Sequence, residues 1–459
     1  MKLETPVNAN YCATVVRVKN LIPLANADNL VGMPMFGLQA VVGKDTQVGD
    51  IGILFPAEVQ LSEKYLFNNS LYRHTEKNSD AGKKGYLEDN RRVRAIKLRG
   101  HRSDALFMPL ESVEYSVGYV GEFREGDQFD HLNGEEICRK YERPVVGGRM
   151  GGNRQVKQAD KRVEERLFPQ HFDSAQFLRV ADGLDWGLDA VITQKLHGTS
   201  IRVGNIPVVK PVSMWRQLLS HIPPFKAPKR EYEYAMVYGS RKVIKDANNP
   251  NQQHFYDEDI WTREGKNLDG LIPQNYIVYG ELVGWVGGSP IQEHYTYDCP
   301  PGTCKLYVYR VSIVNNQGTI ADLGWDAVKD FCQSVGLNHV PELFRTPVGR
   351  LLEPNNSDLR GLINLDTWLD VKFHEVFVKT GNGTLASCVP LSPDSPCDEG
   401  VCIRIEGMIP QIYKAKSPMF LQLETQQLDN DAITVEDVGN NPTLEMRDVG
   451  SVGVGSGPV

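Results

Sequence analysis

The chain of 459 residues has no apolar run near the roughly 18 residues that a membrane-spanning helix needs, so no such span is expected. Its first residues, MKLETPVNANYC, lack a cationic stretch leading into an apolar one, and no secretory signal is expected. Positive charge is not in excess. Fifty Lys and Arg against 58 Asp and Glu leave a net charge of -8, which argues against bulk coating of nucleic acid but not against a local basic channel. Cysteine is sparse, and the eight residues are scattered instead of forming a compact disulfide framework. Reduced thiols in the cytoplasm, or in host cytoplasm for a viral chain, are therefore expected. There is no Walker A pattern and no internal repeat.

What is present is ordinary globular material. Hydrophobic residues make up 41% and charged residues 24%, enough for a sizeable core, and the length allows about three domains. The segment 1–142 reads as β-rich: ATVVRVKNLIPL, LQAVVGKD and DIGILFPA are Val- and Ile-rich runs broken by Gly, Asp and Pro. RRVRAIKLRG, Arg91 to Gly100, also reads as a strand, with Arg92, Arg94 and Lys97 as candidate phosphate contacts. Short strands without helical periodicity predict a small closed β-barrel, an OB-fold being one candidate. The stretch 143–170 has paired glycines and a basic excess, as a flexible linker would. From 171 to 425 apolar strands are mixed with at least one helix, where Val328, Phe331, Cys332 and Val335 share one face and Gly336 marks the stop. The segment 426–459 is acidic, Gly-rich and poor in aromatics, and is expected to be a disordered tail.

The chemistry-bearing residues follow one another along the third segment. In QKLHGTS a strand delivers Lys195 to a turn at Gly198. GSRK contributes Arg241, and VYGELVGW places Glu281 at a strand end. KLYVYRVSIV carries Tyr307 and Tyr309 two residues apart, and DEGVCIRIEG sets Glu399 just before an apolar strand. QIYKAKS puts Lys414 and Lys416 on one strand face, because side chains alternate. Each alone is weak. Glu281 and Glu399 could be surface charges, the tyrosines core, and the lysines a solvated edge. Two C-x4-C pairs, Cys299/Cys304 and Cys397/Cys402, suggest zinc only weakly.

In their order, K-x-x-G, S-R/K, an acidic strand end, an aromatic strand, E-G-V and K-x-K, these motifs resemble the covalent nucleotidyltransferases, and the H-G-T-S form resembles the RNA ligase 2-like RNA ligases. The resemblance implies an α+β fold: a nucleotidyltransferase (ATP-grasp-like) catalytic domain with antiparallel sheets, preceded by an OB-like barrel. It implies an ATP-dependent RNA ligase, using Mg2+ or Mn2+, that joins RNA 3′-OH and 5′-phosphate ends in RNA repair, acting as a monomer on nicked duplex. Lys195 would be the nucleophile, and Glu281, Glu399, Lys414 and Lys416 its catalytic partners. ATP contacts are implied for Gln194, Lys195, His197, Gly198, Ser200, Arg202, Arg241, Glu281, Tyr309, Glu399, Lys414 and Lys416, and metal contacts through water for Glu281 and Glu399. Tyr309 would stack on adenine, with Tyr307 as the alternative. Gln194 and Arg310 depart from the acidic residues the family often has. Capping guanylyltransferases share the motifs but usually carry a further barrel after K-x-K, for which few residues follow Lys416 here. A catalytically inactive RNA-end-binding relative is the other alternative. Since every motif lies after residue 170, the N-terminal segment is expected to engage RNA and not to take part in lysine adenylylation.

Overall fold

The computed structural model describes residues 2–142, 160–211, 231–249, 256, 258–352 and 388–430. The N-terminal module is built on a seven-stranded sheet. Its strands are β1 (Ala13–Arg17), β2 (Ile22–Pro23), β3 (Leu30–Met35), β4 (Leu38–Gly43), β5 (Ile51–Pro56), β6 (Ala105–Pro109) and β7 (Gln128–Phe129). They run in the order β7-β1-β5-β6-β4-β3-β2, antiparallel except for β4 with β6. Period-2 alternation loads both faces. Val15, Ile53 and Phe55 pack on one side with Tyr65 and Leu66 of helix α1 (Glu63–Asn68), while Val16 and Leu54 pack on the other with Met33 and Ala40. The end strands β7 and β2 are not paired to each other among the described residues, and the sheet carries a core on each face.

The catalytic segment forms two further sheets. Its strands are β8 (Ala175–Gln176), β9 (Asp189–Lys195), β10 (Thr199–Val209), β11 (Tyr232–Ser240), β12 (Ile244–Lys245), β13 (Tyr276–Val286), β14 (Cys304–Val314), β15 (Ile320–Asp322), β16 (Glu342–Pro347), β17 (Gly400–Ile405) and β18 (Gln411–Lys416). One sheet runs β8-β18-β17-β9-β16, and the other β12-β11-β10-β13-β14-β15 with Ser289–Pro290 paired to β13. Its longer described helices are α2 (Ile260–Lys266), α3 (Trp325–Val335) and α4 (Pro418–Asp429). α3 buries the face read from the sequence, through Trp325, Val328, Phe331 and Cys332, and ends at Gly336 with φ 72. That left-handed stop suits glycine. The mixed α+β architecture with antiparallel sheets is the one expected.

Three boundaries differ from the sequence reading. Residues 143–159 of the expected linker lie outside the described residues, but Leu167 and Phe168 are fully buried against Ile206 and Ile277 of the second sheet. The expected tail begins inside a helix, since α4 runs to Asp429; residues 431–459 lie outside the described residues. The expected basic strand Arg91–Gly100 is strand only at Ile96–Leu98, and Arg91 and Arg99 have φ 59 and 51.

Candidate active site

Sheet register creates the site. Lys195 on β9 is directly opposite Gly400 on β17, and Gly400 is opposite Lys416 on β18. One row across three strands therefore carries Lys195, a gap and Lys416 on the same face. The next row on that face is Thr193, Cys402 and Lys414. Gly400, with φ 143, is required there: a Cβ would lie 2.1 Å from the Ala415 carbonyl oxygen. The intervening row, Gln194, Val401 and Ala415, faces the other way, and Val401 and Ala415 are fully buried.

Around Lys195 the side chains are tightly committed. Its Nζ donates to Glu399 Oε1 at 2.5 Å, and Glu399 is 1% exposed. The second oxygen, Oε2, is buried without a hydrogen bond among the described residues and lies 3.8 Å from His197 Nδ1. An adjacent carboxylate favours the charged form of the lysine. Glu281, paired across the ladder with Ser200, accepts from the Gly198 N–H and from the Ser200 hydroxyl, both at 3.2 Å. Its carboxylate thus straps the turn that follows Lys195. Lys416 is ion-paired to Glu424 of α4.

A cavity opens on this face. Lys195, Ser200, Glu281, Lys414 and Lys416 line it, together with Tyr309 and Arg241. Tyr309 is re-aimed by a β-bulge: Tyr279 pairs with Arg310 and Gly280 with Val308, leaving Tyr309 unpaired. The simple alternation that put Tyr307 and Tyr309 on one face is broken there, and of the two only Tyr309 reaches the cavity wall. Its hydroxyl lies 2.6 Å from His171 Nδ1. Burial pushes the Tyr309 phenol up and the His171 imidazole well down, so the phenol donates to a neutral ring. Arg310, the departure from an acidic residue, is held by Asp322 at 2.9 Å and lies between the Phe172 and Tyr279 rings, 4.6 and 4.5 Å from their centroids.

Several expected site residues lie elsewhere. Arg202 is 1% exposed and absent from the cavity wall; it donates to the carbonyls of Phe168 and Lys242 at 3.0 and 3.2 Å and stacks on Phe168. Desolvation lowers its pKa to about 10. Gln194 does border the cavity, but its side-chain amide is committed to the Val389 backbone, exchanging hydrogen bonds at 3.0 and 2.8 Å. His197 and Gly198 stand behind the wall: the His197 ring packs edge-on against Tyr295 and Phe420, and a Cβ on Gly198 would lie 2.1 Å from the Leu282 carbonyl oxygen. Arg92, expected to contact RNA, is 1% exposed, and its partners are Asp429, the Thr425 carbonyl and Glu58. Only Lys97 of the three proposed RNA contacts is exposed.

The sequence reading missed the contribution of the N-terminal module. Asn8, Asn10, Tyr11 and Lys140 form part of the same cavity wall. Asn10 is clamped to the catalytic segment, donating to the Ser174 carbonyl at 3.0 Å and accepting from the Gln176 N–H at 2.9 Å. Arg179 adds hydrogen bonds to the Ala9 and Cys12 carbonyls. Polar NANYC near the start was a visible but unspecific signal. The earlier division, with RNA engagement on one module and nucleotide chemistry on the other, is therefore redrawn.

A cleft between antiparallel sheets with a strand-end lysine, two carboxylates and a K-x-K strand defines a nucleotidyltransferase-type ligase. Residues 188–416 match the family model described as RNA ligase, and this part of the chain is similar to that family. That match supports a ligase enzyme that acts on RNA. No curated protein matches the chain significantly. Among solved structures, one mutant of the Naegleria gruberi RNA ligase, with AMP and Mn, superimposes with a TM-score of 0.53 at 15% identity, covering 90% of this chain and 98% of that one. A mutant of it with ATP and Mn gives 0.51 at 15%, covering 91% and 99%. The same ligase with PPi gives 0.51 at 14%, covering 92% and 100%. At these identities the likeness is one of fold.

Proposed function

We propose that the protein joins RNA 3′-OH and 5′-phosphate ends, at nicks in duplex RNA and in the service of RNA repair, through a lysyl-AMP intermediate on Lys195. The observation that carries this is the row Lys195–Gly400–Lys416, flanked by Glu399 and Glu281. In the first step Lys195 Nζ, having lost its proton to solvent, attacks the α-phosphorus of ATP. The N–P bond forms as the P–O bond to pyrophosphate breaks. In the second, an oxygen of the RNA 5′-phosphate displaces the lysine, which regains a proton. In the third, the 3′-hydroxyl attacks that 5′-phosphorus and AMP leaves.

The chain's residues divide this work. Lys414 and Lys416 face the phosphates from the strand next but one and disfavour a charged Lys195. They also offset the charge that develops on phosphate oxygens. Tyr309 stacks on the base, and Glu281 orients the turn carrying Ser200. Glu281 and Glu399 would be the all-oxygen donors to a divalent cation: the Oε2 of Glu399 takes no hydrogen bond among the described residues, and Mg2+ needs only one or two carboxylates beside its waters. When bound it supplies positive charge that competes with the lysine proton and stabilises the phosphates. ATP and Mn in the Naegleria ligase support this choice of cofactors.

Incubation with α-labelled ATP or GTP and Mg2+, followed by a denaturing gel and a nick-sealing assay on duplex RNA, tests the reading. Labelling by ATP and sealing of the nick are expected. Labelling by GTP alone would replace it with cap-type guanylyl transfer.

A further inference from the structure

Helix α4, the continuation of the Lys414/Lys416 strand, has two partners. Phe420 is fully buried in the catalytic core, 4.9 Å from the His197 ring, and Leu423 packs against the same core. Glu424 takes the ion pair from Lys416. Four-residue spacing sets Leu421, Thr425 and Asp429 on a different stripe, and this one faces the N-terminal module. Leu421 packs on the core that holds Val16, Met33 and Leu54. The Thr425 hydroxyl donates to Glu58 Oε1 at 2.7 Å and accepts from the Ala95 N–H at 3.1 Å. Arg92 donates to the Thr425 carbonyl at 3.1 Å and to Asp429 at 2.7 Å, with its guanidinium 5.0 Å from the Tyr141 ring. Glu58 Oε2 lies 3.5 Å from Arg92 Nε.

The cluster is buried: Arg92 and Thr425 are 1% exposed and Glu58 6%. Glu58 also holds φ 67 at the turn after β5, a conformation that costs a non-glycine residue about 1 to 3 kcal/mol. A buried ionic network is a poor source of net stability compared with apolar packing, and its best-attested use is to fix a register. Here the register is that of the module carrying Asn10 and Lys140 against the helix whose Glu424 holds Lys416. Both sides end on the cavity around Lys195.

We infer that Arg92, Glu58 and Thr425 form a lock that aligns the N-terminal module with the K-x-K strand, making Arg92 and Thr425 positioning residues for AMP transfer to Lys195. The inference rests on the function proposed above. A triphosphate in the cavity is bounded by both modules, whereas sealing an RNA end that already carries AMP needs neither the lysine nucleophile nor a pyrophosphate site. The lock therefore matters most for the first step.

The test uses the full-length chain with Mg2+, in Arg92→Met and in Thr425→Val, which removes one hydroxyl at nearly constant volume. Lysyl-AMP formation is expected to slow by about tenfold in the first and about threefold in the second, while sealing of chemically pre-adenylylated nicked RNA stays within about twofold of wild type. A parallel fall in both activities would mean that the cluster only stabilises the fold, and unchanged lysyl-AMP formation would mean that it positions nothing. Either result overturns the inference. If Arg92→Met does not fold, Thr425→Val alone decides between these outcomes. Absence of labelling in wild type is a separate result that overturns the function reading itself.

Discussion

Replacing Glu58 with Gln should change how stability depends on pH. The carboxyl is buried beside Arg92, with Glu424 and Asp429 also near, and desolvation raises its pKa from 4.5 to about 7 despite the arginine. A carboxyl whose folded pKa is raised binds its proton more tightly in the folded chain. It contributes stability fully below pH 4.5 and loses that contribution as pH rises through 7. Holding the carboxyl near 7 instead of 4.5 corresponds to about 3 kcal/mol, most of it falling between pH 5 and pH 8. Glutamine can still accept the Thr425 hydroxyl but does not titrate. Urea unfolding of wild type and Glu58→Gln at a series of pH values reads the difference directly. The variant should gain on wild type by about 2 to 3 kcal/mol between pH 5 and pH 8. A stability difference that stays flat over that range would refute the placement of a titrating carboxyl in this interface.

Two further substitutions separate neighbouring assignments. Arg202→Met should destabilise the chain by about 3 kcal/mol, because two buried carbonyls lose their donor, while the folded fraction still labels with ATP; normal thermal stability with loss of labelling would restore Arg202 to the nucleotide site. Tyr309→Ala should raise the KM for ATP in lysyl-AMP formation about tenfold and Tyr307→Ala less than about twofold, and the reverse order would contradict the bulged geometry.

The strands of the catalytic segment were legible because each is a run of apolar and β-branched residues ending in Gly or charge. QKLHGTS, VYGELVGW and QIYKAKS therefore fell on strands and at strand ends. The common face of Lys414 and Lys416 followed from alternation alone. What alternation could not show is the row through Gly400, since strand pairing joins segments about 200 residues apart. The bulge at Tyr309 broke the same rule locally. Arg92 looked like a surface cation because its neighbours in sequence are basic, and its anionic partner Asp429 is 337 residues away. Arg202 is an ATP contact only by resemblance to the family, yet it is used to hold the segment around Phe168. Helix α4 escaped because its contacts are divided between two bodies. Leu421 faces one and Phe420 the other, so no single apolar stripe stands out in PMFLQLETQQLD.

The most direct test of the central claim is the site of covalent AMP. After incubation with α-labelled ATP and Mg2+, the full-length wild-type protein should carry AMP on the peptide containing Lys195, as read by mass spectrometry. Lys195→Ala should carry none while keeping the wild-type thermal unfolding temperature. Labelling of the Lys195→Ala protein at the wild-type level, or AMP mapped to another lysine in the wild type, would contradict the assignment of Lys195 as the nucleophile.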